Sequence, residues 1–364
     1  MTSHRGELPT WVDAGLIPLL NLAVALIVAG LVVLIIGENP LTAMGVMLKG
    51  ALGSVKGWSY MAYYATNFVF TGLAVAVAFH AGLFNIGGEG QAYIAGLGAA
   101  LVGLGLDFMP WPIVIPLAIL ACALFGAFWA WVPGVLLAKR GSHIVITTIM
   151  FNSIAISLMQ FLIGHWFRPM GSMAVESREI DGAYILSFRE AARMFGVKIA
   201  SSPLNFSVFL AIIVSFAVWY LLWRTKLGYE IRAFGHNPQA AVYAGIRPDR
   251  IIMITMAISG GLAGLMSVNE LLGVQHRLLL EYVGGAGFVG IAVALLGRSH
   301  PLGIGLAAML FGLLYQGGTE LSFAIPKINR DMIVVIQGLV ILFMGALEYA
   351  FRPWLSALFF KPED

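Results

Sequence analysis

Charge is scarce in this chain and cysteine is almost absent. Charged residues make up 11% of the 364 and hydrophobic residues 60%, whereas a soluble domain carries about 25% charged residues. That shortage excludes an ordinary water-soluble fold, which needs a polar surface around its core. The one cysteine, Cys122, sits in an apolar stretch. It has no partner for an internal disulfide and no ligand neighbours, so it reads as a small core residue. Several chemical signatures are missing too. There is no phosphate loop of the form G-x-x-x-x-G-K-[ST], no H-E-x-x-H, no cysteine pair and no Gly-x-Ser-x-Gly. The chain is therefore expected to be no enzyme, to hold no cofactor or metal, and to leave any work with ATP to a partner. The net charge of +3 comes from loop lysines and arginines, which gives no patch for nucleic acid. The polar start, Met1 to Asp13, leads into a hydrophobic span without a small-residue cleavage site. A retained first helix is expected there, and not a removed signal peptide.

What fills the chain instead is apolar runs of about 20 residues, the length that crosses a bilayer core. Ten spans are predicted, at 15–36, 60–80, 91–106, 112–138, 143–163, 206–223, 251–268, 284–297, 301–323 and 332–350. All 21 lysines and arginines fall outside them, and no ionisable residue falls at the centre of a span. With the N-terminus inside, Lys139, Arg140, Arg224, Lys226, Arg232, Arg247, Arg250, Arg298, Arg352 and Lys361 are cytoplasmic. The short outer loops hold only Lys49, Lys56, Arg277, Lys327 and Arg330. This bias predicts cytoplasmic termini. The expected fold is an all-α integral membrane protein of about ten helices, forming a single transmembrane domain over 1–364.

The polar stretch Phe84-Asn85-Ile86-Gly87-Gly88-Glu89-Gly90-Gln91 interrupts this apolar sequence. Amide and carboxylate groups at such a break point to backbone facing a cavity and not lipid; the alternative is a cytoplasmic turn with Glu89 solvated. Two spans are short, 91–106 after this break and 284–297, which opens on Gly284-Gly285-Ala286-Gly287. Each is third in its half if the halves run over about 15–163 and 206–350. An odd number of spans per half inverts the second half, and matched breaks in inverted halves mark a transport site near the midplane. Residues 285–290 also fit G-x-G-x-x-G, but no strand precedes them, so no dinucleotide is read there.

Two loops carry most of the remaining polarity. In the cytoplasmic loop 224–250, Asn237 suits an N-cap, Pro238 the first helical position and Gly245 the stop. A helix of about two turns is predicted over 239–244, either a handle for another protein or a loop helix resting on its own bundle. The outer loop 164–205 nearly balances five basic against four acidic residues, and either caps the bundle or receives a partner. Gly260 and Gly264 give a G-x-x-x-G spacing that favours close helix packing.

Three stretches carry a family resemblance. Gly82-Leu83-Phe84-Asn85-Ile86-Gly87-Gly88-Glu89-Gly90-Gln91 resembles the GLFNIGxEGQ signature of nucleoside and simple-sugar ABC importer permeases, in the branched-chain-amino-acid permease superfamily. Residues 232–246, from Arg232 to Ile246, resemble that family's RAxGxNPxAAxYAGI segment, and residues 287–303 a third. The resemblance implies a permease without ATPase activity in the bacterial inner membrane. Its implied partners are cytoplasmic ABC ATPases, a second and related permease, an extracytoplasmic substrate-binding protein and membrane lipid, with no nucleic acid. It implies that the loop helix couples to the ATPase, through Glu230, Arg232, Gly235, Asn237, Pro238, Ala240, Tyr243 and Gly245. The cargo expected is a nucleoside; the alternatives are a simple sugar such as a pentose, or a ribityl vitamin. The expected pathway holds Asn85 and Gln91 for hydroxyls or base edges and Phe84, Tyr282 and Phe288 for stacking. Glu89 either meets cargo or accepts backbone N–H bonds. A channel or ion-coupled transporter working alone is disfavoured by the lack of ionisable residues at span centres.

Overall fold

A computed structural model describes residues 12, 16–197, 201–347, 351 and 353. Among these, fourteen α-helices follow one another: α1 (Ile17–Ile35), α2 (Pro40–Leu52), α3 (Val55–His80), α4 (Gly88–Gly105), α5 (Trp111–Arg140), α6 (Ile144–Leu162) and α7 (Phe188–Met194). Then come α8 (Ser207–Arg224), α9 (Lys226–His236), α10 (Pro238–Tyr243), α11 (Pro248–Gly264), α12 (Ala286–Leu296), α13 (Pro301–Ala324) and α14 (Arg330–Ala346). Two π-helical stretches, Ile163–Phe167 and Val268–Gln275, prolong the lines of α6 and α11.

Each expected span holds a helix in its described residues; residue 15 and residues 348–350 lie outside them. Six helical stretches among the described residues are long and apolar enough to cross a membrane, or seven if the bent pair α1–α2 is one span. The chain is thus an all-α, multi-pass membrane protein. The count of ten is not reached on length and composition, because α12 has 11 residues, α14 has 17 and α4 opens on polar Glu89 and Gln91.

Three helices lie where only loop was expected, and each begins on a side-chain cap; ahead of α7 the Ser187 hydroxyl accepts from Glu190 N–H at 3.2 Å. The Asn39 side chain accepts from the N–H groups of Leu41 (2.9 Å) and Thr42 (3.4 Å) ahead of α2, with Pro40 at the first position. The Thr225 hydroxyl accepts from Gly228 N–H at 3.1 Å ahead of α9. Each cap satisfies donors that a helix start leaves open.

The described residues fall into two compact units. The smaller holds the chain up to Ser54 and from Leu313 onward. There α1 packs on α14, and α1 and α2 meet at a bend of 116°. Lys327 pairs with Glu38 at 3.0 Å. Glu320 lies close against α2, since a Cβ added at Gly50 would sit 2.5 Å from the Glu320 Cβ.

The larger unit runs from Val55 to Gly312. Its interior is built on α3 and the α11 line, whose apolar stretches are 83% and 72% buried, against 28%, 28% and 22% for α5, α6 and α8. The last three present their leucine, isoleucine and phenylalanine side chains outward, as lipid-facing helices do. The G-x-x-x-G spacing has the expected use. A Cβ at Gly260 would fall 2.3 Å from the Gly126 carbonyl oxygen, and one at Gly264 would fall 2.5 Å from that of Cys122. The backbones of α11 and α5 therefore touch, and buried Cys122 is part of that contact. The loop 164–205 lies along the bundle as a strap in its described residues. Its Ser177, Ile180 and Ile185 N–H groups donate to the carbonyls of Leu278 (3.0 Å), His276 (2.7 Å) and Leu272 (2.7 Å). Arg277 pairs with Glu176 and Arg178 with Asp107 to fasten it.

Candidate functional site

The two glycine-rich breaks meet inside the larger unit. α4 begins at Gly88 and α12 at Ala286, and the two helix starts press backbone against backbone. A Cβ at Gly287 would fall 2.2 Å from the Glu89 nitrogen, a distance no side chain tolerates. Glycine is therefore required at 287 by its neighbour and not by its own dihedral angles. α12 starts without a capping side chain of its own. Glu89 supplies one from the other break: its carboxylate oxygens accept from Gly285 N–H at 2.8 Å and Gly287 N–H at 2.9 Å. A carboxylate in apolar surroundings is costly unless its oxygens are bonded. Here two backbone donors and the positive end of the α12 dipole offset that cost. No ion pair joins Glu89 among the described residues.

The amides around Glu89 are equally committed. Asn85 and Gln91 are 2% and 1% exposed. Asn85 Nδ2 donates to Gln91 Oε1 (3.0 Å) and to the Ser259 hydroxyl (2.8 Å). Asn85 Oδ1 accepts from Gln91 Nε2 and Gly87 N–H, both at 2.9 Å. Ser259 in turn donates to the Ala74 carbonyl at 2.6 Å. From α6, Asn152 Oδ1 caps the start of α4 by accepting from Gly90 N–H at 2.9 Å, while its Nδ2 donates to the Ile86 carbonyl at 3.0 Å. The first break thus ties α3, α4, α6, α11 and α12 together.

The aromatic members of the expected pathway divide. Tyr282 is buried; its hydroxyl donates to the Ala92 carbonyl at 2.6 Å and meets the Ser267 hydroxyl at 2.9 Å. Its ring stacks on Tyr93 with 5.3 Å between centroids. Phe84 and Phe288 are 38% and 46% exposed on this chain, with Phe84 stacked on Phe79. Beside the joint, then, exposed side chains are apolar rings, whereas the polar groups of Asn85, Glu89, Gln91 and Tyr282 are bonded within the chain.

A second polar network went unread in the sequence. Glu270 is 8% exposed and lies on the π-helical extension that carries the α11 span to Gln275. It accepts from the Tyr63 hydroxyl, from Asn67 Nδ2 at 3.1 Å and from Gln275 Nε2 at 3.1 Å. Asn269 continues the network to Asn67 Oδ1 (2.7 Å), Asn205 (2.8 Å) and the Ser207 hydroxyl (2.7 Å). Ending the span at 268 put Glu270 in a loop, so a carboxylate inside a span was missed. Asn67 and Asn152, single amides amid apolar helix, were the available signal.

The loop helix forms as expected. Asn237 Oδ1 accepts from Ala240 N–H at 3.0 Å, Pro238 opens α10 and Gly245 follows at φ +83°. Pro238, Ala240, Gly245 and Asn237 are exposed, and Tyr243 is 94% exposed. The other residues of the segment hold α9 in place. Glu230 pairs with Lys226 at 3.8 Å, Arg232 Nε donates to the Leu222 carbonyl at 3.1 Å, and Gly235 lies so close to α3 that a Cβ would meet the His80 carbonyl oxygen at 2.1 Å.

Residues 57–345 match the family model described as branched-chain amino acid transport system / permease component. A guanosine ABC transporter permease protein of Bacillus subtilis is 31% identical over 341 residues, covering 93% of this chain and 94% of that one. A glucose ABC transporter permease protein of Haloferax volcanii is 30% identical over 354 residues, covering 95% and 90%. A nucleoside ABC transporter permease protein of Lactococcus lactis is 32% identical over 333 residues, covering 91% and 90%. Each of these organisms also has a second, more distant permease relative described for the same cargo, at 29% identity in Lactococcus and 25% in the other two.

Proposed function

Given that this chain belongs to the family of branched-chain amino acid transport permeases, we propose that it is the transmembrane permease of an ABC importer whose cargo is a nucleoside. The nucleoside reading rests on the guanosine and nucleoside permeases among its relatives. The observation that carries the mechanism is the joint between the breaks, where Glu89 caps α12. Two short helices fixed at one point make a frame that moves as a body when the surrounding helices shift. Phe84 and Phe288 line the passage and stack on the base; Asn85, Glu89, Gln91 and Tyr282 form the wall behind them. Cargo passes near the midplane, between this chain and a second, related permease. The pairs of relatives in three organisms support a companion that is a different chain.

The chain lies in the bacterial inner membrane with both termini cytoplasmic. An extracytoplasmic binding protein delivers cargo to the outer face. ATP is used by cytoplasmic ABC ATPases, which dock on α10. Exposed Val242 and Tyr243 give that short helix an apolar contact surface, and its caps keep it rigid. ATPase closure then reaches the joint through α9 and α3.

Uptake of radiolabelled nucleosides in cells lacking this chain tests the cargo. Loss of purine or pyrimidine nucleoside uptake is expected; unchanged uptake of both removes the assignment. The glucose permease relative supports a second reading, a simple sugar, and labelled glucose and ribose in the same cells separate the two. For coupling, Tyr243→Asp is expected to abolish copurification of the ATPase and leave the fold intact. An ATPase that still copurifies, with transport intact, rules α10 out.

A further inference from the structure

Where α3 ends, a cavity of about 300 Å³ opens between Phe79, His80, Arg232, Gly235, His236 and Ser299. Its polar lining is of one kind. Among the described residues it holds two imidazoles, a guanidinium and a hydroxyl, and no carboxylate. More imidazole stands behind it: Trp223 packs edge-on to His80 at 5.3 Å, and its ring centroid is 5.1 Å from that of His300. The nearest acidic residue on α9, Glu230, is already paired with Lys226. Gathering cationic and protonatable groups without a counter-charge is unfavourable unless an anion joins them.

The backbone on one wall adds an independent sign. Arg298 and Ser299 are consecutive non-glycine residues, each at φ +53°. The turn is held there by Arg298 N–H donating to the Leu295 carbonyl at 3.0 Å and Ser299 N–H to the Ala294 carbonyl at 2.8 Å. Such over-determined left-handed residues gather at ligand sites.

We propose that this cavity binds an anion of the phosphate class, with Arg232 and His236 on one side and Ser299 on the other. The phosphate comes either from free inorganic phosphate or from the head group of an anionic lipid. Arg232, Gly235 and His236 belong to α9, which runs directly into α10. An anion bridging α9 to the turn between α12 and α13 would fix α9 in place and with it α10. Occupancy would therefore tune coupling independently of which cargo is carried.

The test uses the assembled transporter in nanodiscs of neutral phosphatidylcholine, with thermal melting followed as inorganic phosphate is raised against chloride at matched ionic strength. A saturable rise in melting temperature is expected with phosphate and none with chloride. Arg232→Gln and His236→Gln are each expected to weaken the apparent affinity by about tenfold, as loss of one charge-assisted bond does. Ser299→Asp places a carboxylate in the cavity. It is expected to raise the resting melting temperature and blunt the phosphate response, which keeps the test open if Arg232→Gln does not assemble. Discs containing phosphatidylglycerol separate the sources. If a head group is the occupant, they raise the melting temperature and added phosphate does nothing further; if free phosphate is, the response is the same in both discs. No response to phosphate or to phosphatidylglycerol, or a response unchanged in all three variants, overturns the site.

Discussion

The two helix breaks look alike in sequence and are built differently. The first, ahead of α4, brings its own polar side chains. Asn85 and Gln91 pair with each other, and Asn152 and Ser259 reach in from α6 and α11. The second, ahead of α12, has almost none of this. Its backbone turns through left-handed residues at His276, Glu281, Gly284 and Gly285. It borrows its cap from Glu89 and its flank from the strap over residues 177–185. At the joint the first break supplies the carboxylate and the second the backbone donors. Similar glycine-rich breaks therefore do not guarantee matched construction.

The asymmetry is most sharply tested at the point of contact. Gly287→Ala would drive a methyl group into the Glu89 backbone, which cannot give way as a side chain can. A loss of about 3 kcal/mol is expected from such overpacking, read as failure to recover assembled transporter or as a steep fall in melting temperature. A near-normal melting temperature would mean that the two helix starts do not touch.

Glu89→Gln comes next. It keeps the shape but turns an acceptor into a donor facing a backbone N–H. The expected cost is about 2 kcal/mol, the penalty for one unsatisfied buried group. Hydrogen exchange should rise at the start of α12 and stay unchanged at the start of α4, whose cap is Asn152. Equal loosening of both breaks would show that the first depends on the joint as much as the second does.

Gly285→Ala should cost less. Nothing lies within 4 Å of the added Cβ, so the penalty is only that of a left-handed alanine, about 1 kcal/mol. A larger loss than for Gly287→Ala would reverse the explanation of which glycine is needed for space and which for its dihedral angle.

The smallest effect is acidification. Burial pushes the His276 imidazole below its ordinary value, more than Glu190 and Glu179 pull it up. Its Nδ1 is buried without a hydrogen-bond partner among the described residues, so charging it in place is unfavourable. Burial works against the Glu190 carboxylate too, but the Ser187 N–H and hydroxyl, together with His276 and Arg193, hold the group below its ordinary value. Both folded values are depressed, so both contributions are present above the ordinary values and lost as pH falls, first His276 from about 6.5 and then Glu190 from about 4.5. Hydrogen exchange corrected for its intrinsic rate should show residues 276–286 loosening between about pH 7.5 and pH 5, ahead of residues 84–90. Simultaneous loosening would remove the distinction between the breaks.

Much of this was legible in the sequence because it depends on near neighbours. Asn237, Pro238 and Gly245 delimit α10 within a nine-residue stretch. The glycines at 260 and 264 announce a tight helix contact by spacing alone. Apolar runs separated by every lysine and arginine mark a membrane protein, since the bilayer acts on each segment separately. The helix caps at Asn39 and Thr225 were equally local, and the helices they start were passed over inside expected loops. A span ending at 268 falls short because a polar Asn269-Glu270 pair looks like a loop unless something distant satisfies it.

Composition and local pattern determined that this chain is a multi-pass helical membrane protein and where its two breaks fall. Which polar groups brace the breaks was decided only by the tertiary structure. Glu89 meets Gly285 across 196 residues of chain, and Glu270 meets Tyr63 across 207. A carboxylate in an apolar chain reads the same whether it awaits a ligand or a backbone N–H. The donor that settles it arrives from another helix, and no local pattern carries that information.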